Sequence, residues 1–165
     1  MPRPFILLDV DGCLAPYPIG YVPDGFEPVF LSESVPPVLL AQRHRAALGR
    51  LAERADLVWC TAWEHEANHY IGPWLGLPPL PVIAFDDMRY QAGDRGCWKT
   101  RTVEAWLAEH NRADRPWVWL DDEITPADEE RLAGHPAPHL LVGTDPFVGL
   151  TDLDVRRVED WIGSL

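Results

Sequence analysis

The sequence predicts an α/β protein, a mainly parallel sheet of five strands between two layers of helices, and three observations point there. Short apolar runs alternate with stretches of helical period, the pattern of a parallel sheet covered by helices. The runs are continuous in apolar character rather than alternating, as strands buried on both faces are. Hydrophobic residues make up 47% of a 165-residue chain, enough for the single core that such a three-layer sandwich requires.

Phe5-Ile6-Leu7-Leu8 is the first strand. The segment after it breaks the rhythm: Ala15 to Leu40 holds prolines at 16, 18, 23, 28, 36 and 37 and a Pro-Asp-Gly turn signal at 23 to 25. So many prolines suit neither a helix nor an inner strand. The segment reads as an irregular excursion or small hairpin flap beside the first strand's end, with a disordered loop as the alternative. Leu48, Leu51, Ala52 and Ala55 then recur at helical spacing. Leu57-Val58-Trp59-Cys60 and Val82-Ile83-Ala84-Phe85 supply the second and third strands, and Val103, Trp106 and Leu107 mark the next helix.

Trp117-Val118-Trp119-Leu120 is the fourth strand. Thr125-Pro126-Ala127-Asp128 follows with an N-cap, a proline at the first helical position and an acid in the first turn. His139-Leu140-Leu141-Val142 is the fifth strand. Thr151-Asp152-Leu153-Asp154 repeats the cap before the apolar stripe Val155, Val158, Trp161 and Ile162 of a closing helix. No internal repeat or low-complexity tract interrupts the series. The expectation is one domain over residues 1–165, with the proline-rich flap at about 15–40 and no large cap domain.

Charge narrows the partners. A formal charge of −12 and a pI near 4.7 argue against general nucleic-acid binding, which needs a basic footprint to displace counterions, and against an anionic membrane surface. No apolar run approaches the roughly 20 residues that span a bilayer. The apolar stretch at the N-terminus stops at Asp9 after Leu8, too short for a signal peptide's core. Cys13, Cys60 and Cys97 have no ligand-like spacing and read as reduced thiols of a cytoplasmic protein.

Ligands of open α/β sheets bind beyond the carboxyl ends of the strands. The first strand delivers Asp9-Val10-Asp11-Gly12 to that edge, the second Thr61, and the fourth Asp121-Asp122-Glu123. Lys99 stands just before the Val103 helix, at a junction that can swing it over the same edge. Carboxylates at about 4 Å repel by about 4 kcal/mol at an effective dielectric near 20, so such a cluster is tolerated where a cation belongs. Hard oxygen ligands without histidine suit Mg²⁺, and Lys99 would offset further negative charge and hold a phosphoryl oxygen.

These residues carry a resemblance. Phe5 to Leu14, FILLDVDGCL, resembles the first motif of the haloacid dehalogenase (HAD) superfamily, and Val58 to Ala62, VWCTA, resembles the second. Lys99 is similar to the third and Val118 to Asp122, VWLDD, to the fourth, in the family's order and over nearly the whole chain. The resemblance implies a Rossmann-like sheet and a Mg²⁺-dependent phosphatase. Asp9 would attack phosphorus to give an aspartyl-phosphate. Asp11 would protonate the leaving oxygen and then activate the hydrolytic water. Thr61 and Lys99 would bind phosphoryl oxygens. The metal set would be Asp9, Asp11 through its carbonyl, and Asp121, with Asp122 completing the surroundings of the metal or orienting Lys99. Asp11 favours phosphate esters over carbon–halogen bonds, because dehalogenating members lack an acid there. Cys13 departs from the family's usual threonine or valine and is expected to pack rather than react. The substrate would be a phosphorylated small molecule, protein or nucleic-acid end. Val58 to His65 and the ending Gly149-Leu150-Thr151 are similar to HAD domains of multi-domain RNA-repair proteins, although the charge of −12 fits that awkwardly.

Other readings compete. His65-Glu66-Ala67-Asn68-His69 satisfies the zinc-hydrolase pattern His-Glu-x-x-His, but it accounts for none of the aspartates. Asp86-Asp87 is a second acidic pair after a strand, and it precedes Lys99 where the fourth motif should follow. A phosphoacceptor signalling module also uses aspartates, a threonine and a lysine, in an order this chain lacks. A non-catalytic module on the same scaffold would have no need of the intact set. Trp63 and Trp98 flank Thr61 and Lys99 and are candidates to line a pocket.

Overall fold

A computed structural model describes residues 2–18, 20–33, 35–85, 91, 93–111 and 114–165. In chain order its elements are β1 (Phe5–Leu8), β2 (Phe26–Val29), β3 (Val38–Ala41), α1 (Arg43–Arg54) and β4 (Asp56–Trp59). A π-helical turn at Ala67–Ile71 then runs into α2 (Gly72–Leu75), followed by α3 (Thr100–His110), β5 (Trp117–Asp121), α4 (Pro126–Leu132), β6 (His139–Gly143) and α5 (Asp152–Ser164).

The main sheet is parallel, in the order β4-β1-β5-β6. Leu8 lies level with Trp59 on one side and Leu120 on the other, and Leu120 with Val142, so the strands end at one rim. Side chains alternate across the sheet, as strand geometry demands. Ile6, Leu8, Trp59 and Leu120 point into a core closed by Leu48 and Leu51 of α1 and Val155 and Val158 of α5. Phe5, Leu7, Val58, Trp117 and Trp119 point the other way, against Val103 and Leu107 of α3 and Leu132 of α4. These two cores are the two interfaces of a three-layer α/β/α sandwich. Trp59, Trp117 and Trp119 are fully buried, and each such large apolar side chain contributes on the order of 2–3 kcal/mol. Among the described residues no helix is long and apolar enough to cross a membrane.

The sheet differs from expectation at one edge. The run 82–85 does not form a fifth strand; it makes a single parallel bridge between Val82 and Trp59. Trp59 donates its N–H to Pro81 O at 2.9 Å and accepts from Ile83 N at 2.9 Å. Pro78, Pro79 and Pro81 have no N–H to extend the ladder, and Phe85 N is diverted to Glu64 Oε1 at 2.6 Å. The sheet therefore has four strands and one extra rung. Asp86-Asp87 falls outside the described residues.

The proline-rich excursion contains an antiparallel hairpin, with Phe26 opposite Ala41 and Val29 opposite Val38. Pro28 is tolerated because this two-stranded sheet consists only of edges. The hairpin is anchored to α1 by Phe26, which meets His44 edge-on at 5.5 Å and lies under the Arg43 guanidinium at 4.6 Å.

His44 is buried, and its Nε2 donates to Leu150 O at 2.9 Å while Nδ1 has no partner. Burial holds its pKa down to about 4, so the folded protein carries it neutral. Between about pH 4 and the usual 6.5 the unfolded chain binds the extra proton, and stability must therefore fall as pH is lowered through that window, by up to about 3 kcal/mol. Urea unfolding at pH 7 and pH 4.5 should show a smaller acid-side loss in His44→Gln than in the wild type; equal losses would contradict this assignment.

Candidate active site

Every sequence-selected site residue except Lys99 lies at or just past the carboxyl end of a strand. Asp9 leaves β1 with its N–H bonded to Leu120 O at 3.1 Å, which fixes it between β4 and β5. The next turn is tight: Cys13 N and Ala15 N both reach Val10 O, at 3.1 and 2.8 Å. Gly12 takes φ +72°, and a Cβ there would fall on the Asp122 carboxylate, so only glycine lets the β1 and β5 loops approach so closely.

Lys99 joins them from the turn before α3. Its Nζ lies 2.9 Å from Asp9 Oδ1 and 2.8 Å from Asp121 Oδ2, and all three residues are buried. Burial, the largest influence, disfavours the ammonium charge, but Asp121 and Asp9 together outweigh it and raise the Lys99 pKa. One ammonium does not neutralise two buried carboxylates. Burial and then repulsion from Asp121 push Asp9 well above its usual value, against the pull of Lys99, and burial raises Asp121 likewise. Asp122, which is partly exposed, is raised to about 6 by burial and by Asp121 and Glu123. Carboxylate oxygens of Asp9, Asp121 and Asp122 come within 4.8 Å of one another. This all-oxygen donor set with surplus negative charge fits a hard divalent cation. Lys99 is oriented by Asp9 and Asp121, while Asp122 stands over Gly12.

Asp11 points beside this cluster. Burial lifts its pKa, opposed by the Trp63 indole N–H, which donates to Asp11 Oδ2 at 2.9 Å. Thr61 is buried at the end of β4 and its Oγ1 accepts from Trp63 N at 3.3 Å, leaving its own proton free to donate. Glu64 holds φ +46° while gripping Phe85 N, a strained backbone at the rim. Cys13 is buried, and its thiol is pushed well up by burial and by Asp9 and Asp121, consistent with packing rather than reaction.

A family model described as the HAD domain in Swiss Army Knife RNA repair proteins matches residues 5–155. The chain belongs to the HAD superfamily. No curated protein and no solved structure matches it. HAD membership supports hydrolase chemistry at this rim, and the α/β sheet without a large cap agrees with the HAD fold. The zinc reading fares differently. His65 and His69 are exposed, and among the described residues neither they nor Glu66 joins a group of three metal-ligating side chains. The sequence pattern needs a third ligand, and none of the described residues supplies one.

Several HAD-site partners were not legible in the sequence. Trp63 reads from the sequence as a pocket residue, and its bond to Asp11 appears only in the fold. Thr144, buried after β6, donates its hydroxyl to Gly12 O at 3.0 Å. Asp128, expected as a first-turn acid of α4, also accepts from Cys97 N and Thr100 Oγ1, thereby clamping the Lys99 turn. Only its capping-box position hinted that it mattered.

Two outcomes check this geometry. Gly12→Ala should cost about 1–2 kcal/mol from the backbone alone, and it should weaken divalent-cation binding by displacing Asp122, read by calorimetry with Mg²⁺. Lys99→Met should leave two buried carboxylates facing each other and lower the unfolding free energy by about 3–5 kcal/mol, measured in urea at pH 7.

Proposed function

We propose that this HAD domain is a Mg²⁺-dependent phosphomonoesterase acting through an aspartyl-phosphate on Asp9. The observation that carries this reading is the placement of Lys99 Nζ 2.9 and 2.8 Å from Asp9 and Asp121, groups from separate stretches of chain meeting at one sheet rim. Asp9 attacks phosphorus, and the bond from phosphorus to the leaving oxygen breaks as Asp11 donates its proton to that oxygen. The resulting anionic Asp11 takes a proton from water, which attacks the same phosphorus and frees Asp9 and inorganic phosphate. The raised pKa of Asp11 favours the protonated form needed first. Trp63 occupies its Oδ2, so Oδ1 is available to carry the proton. Thr61 and Lys99 hold phosphoryl oxygens, and with charge spread over those oxygens most of the catalysis is positioning and electrostatics. Mg²⁺, held by Asp9, Asp121 and the Asp11 carbonyl with Asp122 beside them, would supply charge neutralisation at the phosphoryl group.

The substrate is a phosphate monoester. The family description, which names RNA repair, supports a phosphate at a nucleic-acid end, and the missing cap leaves room for one. Free, buried cysteines fit a reducing compartment, so we place the protein in the cytoplasm.

Purified protein should hydrolyse phenyl phosphate with Mg²⁺ and stop when the metal is chelated; turnover that survives chelation sinks the scheme. Asp9→Asn should abolish turnover without lowering the metal-free melting temperature, since it removes one charge from a crowded buried cluster. An active Asp9→Asn enzyme would place the nucleophile elsewhere.

A further inference from the structure

Beside Asp11 lies a pocket of about 310 Å³ lined by Asp11, Val35, Ala62, Trp63, Glu66 and Tyr70. We infer that this pocket is the leaving-group subsite, and that it takes a single flat uncharged ring, of the size of a nucleobase or aryl group, carried by the alcohol that departs. The inference rests on the phosphatase reading, because it follows from the role of Asp11. The acid that protonates the leaving oxygen must face the leaving group, so a cavity with that acid in its wall is where the leaving group lies.

Size, shape and charge select the occupant. Ligand cavities run from about 300 to 1,000 Å³, which puts this one at the small end, with room for one ring system and its linker. Trp63 and Tyr70 both line it, and aromatic side chains stack on any base because every base presents a π-face. Both aromatics are held in place. Trp63 is fixed by its bond to Asp11, and Tyr70 is met edge-on by His69 at 4.7 Å. Val35, contributed by the flap, supplies an apolar wall. The lining contains two acids, Asp11 and Glu66, and no basic group, so nothing in it would bind a further phosphate on the leaving group. The lining itself offers no basic side chain to a polynucleotide backbone. Recognition therefore ends at one nucleotide or aryl unit, whether it comes free or as the last residue of a strand.

The test compares kcat/KM, with Mg²⁺ supplied, for adenosine monophosphate, phenyl phosphate, glycerol phosphate and an oligoadenylate bearing a terminal phosphate. Ring-bearing esters should exceed glycerol phosphate by roughly tenfold or more, the worth of one stacked ring. The oligoadenylate should match adenosine monophosphate within about threefold and show no steeper salt dependence, since no extra phosphates are neutralised. Tyr70→Ala should reduce the ring-to-glycerol ratio by roughly tenfold, chiefly through KM. Val35→Trp, placed on the flap away from the sheet, should reduce the same ratio by filling the pocket even if the Tyr70 variant folds poorly. Equal rates for glycerol and ring-bearing esters overturn the proposal. So does an oligoadenylate preferred more than tenfold with a steep salt dependence, which would indicate recognition through the backbone. Should no ester turn over, the phosphatase reading falls by itself. Calorimetry of adenosine monophosphate against Asp9→Asn with and without Tyr70→Ala then decides the pocket: binding weakened by the tyrosine change upholds the subsite, and absent or unchanged binding removes it.

Discussion

A single ammonium group between two buried carboxylates governs the catalytic rim. Lys99 reaches Asp9 and Asp121 at hydrogen-bond distance in a setting where all three side chains are almost without solvent. Separating any one of them leaves a buried charge uncompensated, the costliest kind of polar defect. Yet the trio is out of balance, one positive group facing two negative ones with Asp11 and Asp122 nearby. Burial, joined at Asp9 by repulsion from Asp121, raises the carboxylate pKa values, and the surplus of acids makes the cluster a place that gains from a cation.

Such a cluster persists only if the chain around it cannot relax away, and two clamps hold it. Asp128 caps α4 through Thr125 N and Oγ1, and the same carboxylate takes Cys97 N and Thr100 Oγ1 from the lysine turn. Gly96, at φ +99°, leaves space for that carboxylate where a Cβ would collide with it. The second clamp comes from the connection after β6. Thr144 bonds Gly12 O, and Leu150 N bonds Cys13 O at 2.7 Å. A Cβ on Gly149 would come to 2.8 Å from that same Cys13 oxygen. The turn that carries Asp9 and Asp11 is thus braced by the connection between β6 and α5.

The sequence made visible what depends on local pattern. Continuous apolar runs located β1, β4, β5 and β6 to within a residue, and the acids directly after β1 and β5 followed from where strand ends point. What escaped depends on contacts between distant segments. The run 82–85 has the composition of a strand, but its prolines and the capture of Phe85 N by Glu64 reduce it to one rung. The bonds of Trp63 to Asp11 and of Asp128 to the lysine turn span separations of 52 and 28–31 residues, and no short-range periodicity encodes them. His-Glu-x-x-His shows the converse: the local pattern is present, but no third ligand stands beside it among the described residues.

Net charge and local charge have to be kept apart when the acidic composition is set beside a phosphate substrate. The −12 is a property of the whole chain, and exposed charges are screened within about 8–10 Å at physiological salt, so it bears on a long polyanion that must lie along the protein. A single phosphoryl group senses the rim instead, and the rim is acidic too. The Tyr17 phenol, above it, has its pKa pushed up to about 12 by burial and by Asp11, Asp122, Asp9 and Glu123. A dianionic ester approaching these residues with only Lys99 to receive it is repelled. A divalent cation held by Asp9, Asp121 and Asp122 would make the same position attractive. On the proposed reading, the electrostatics of this rim would favour metal before substrate, and the ester would meet the Lys99 ammonium at the centre of the acidic cluster.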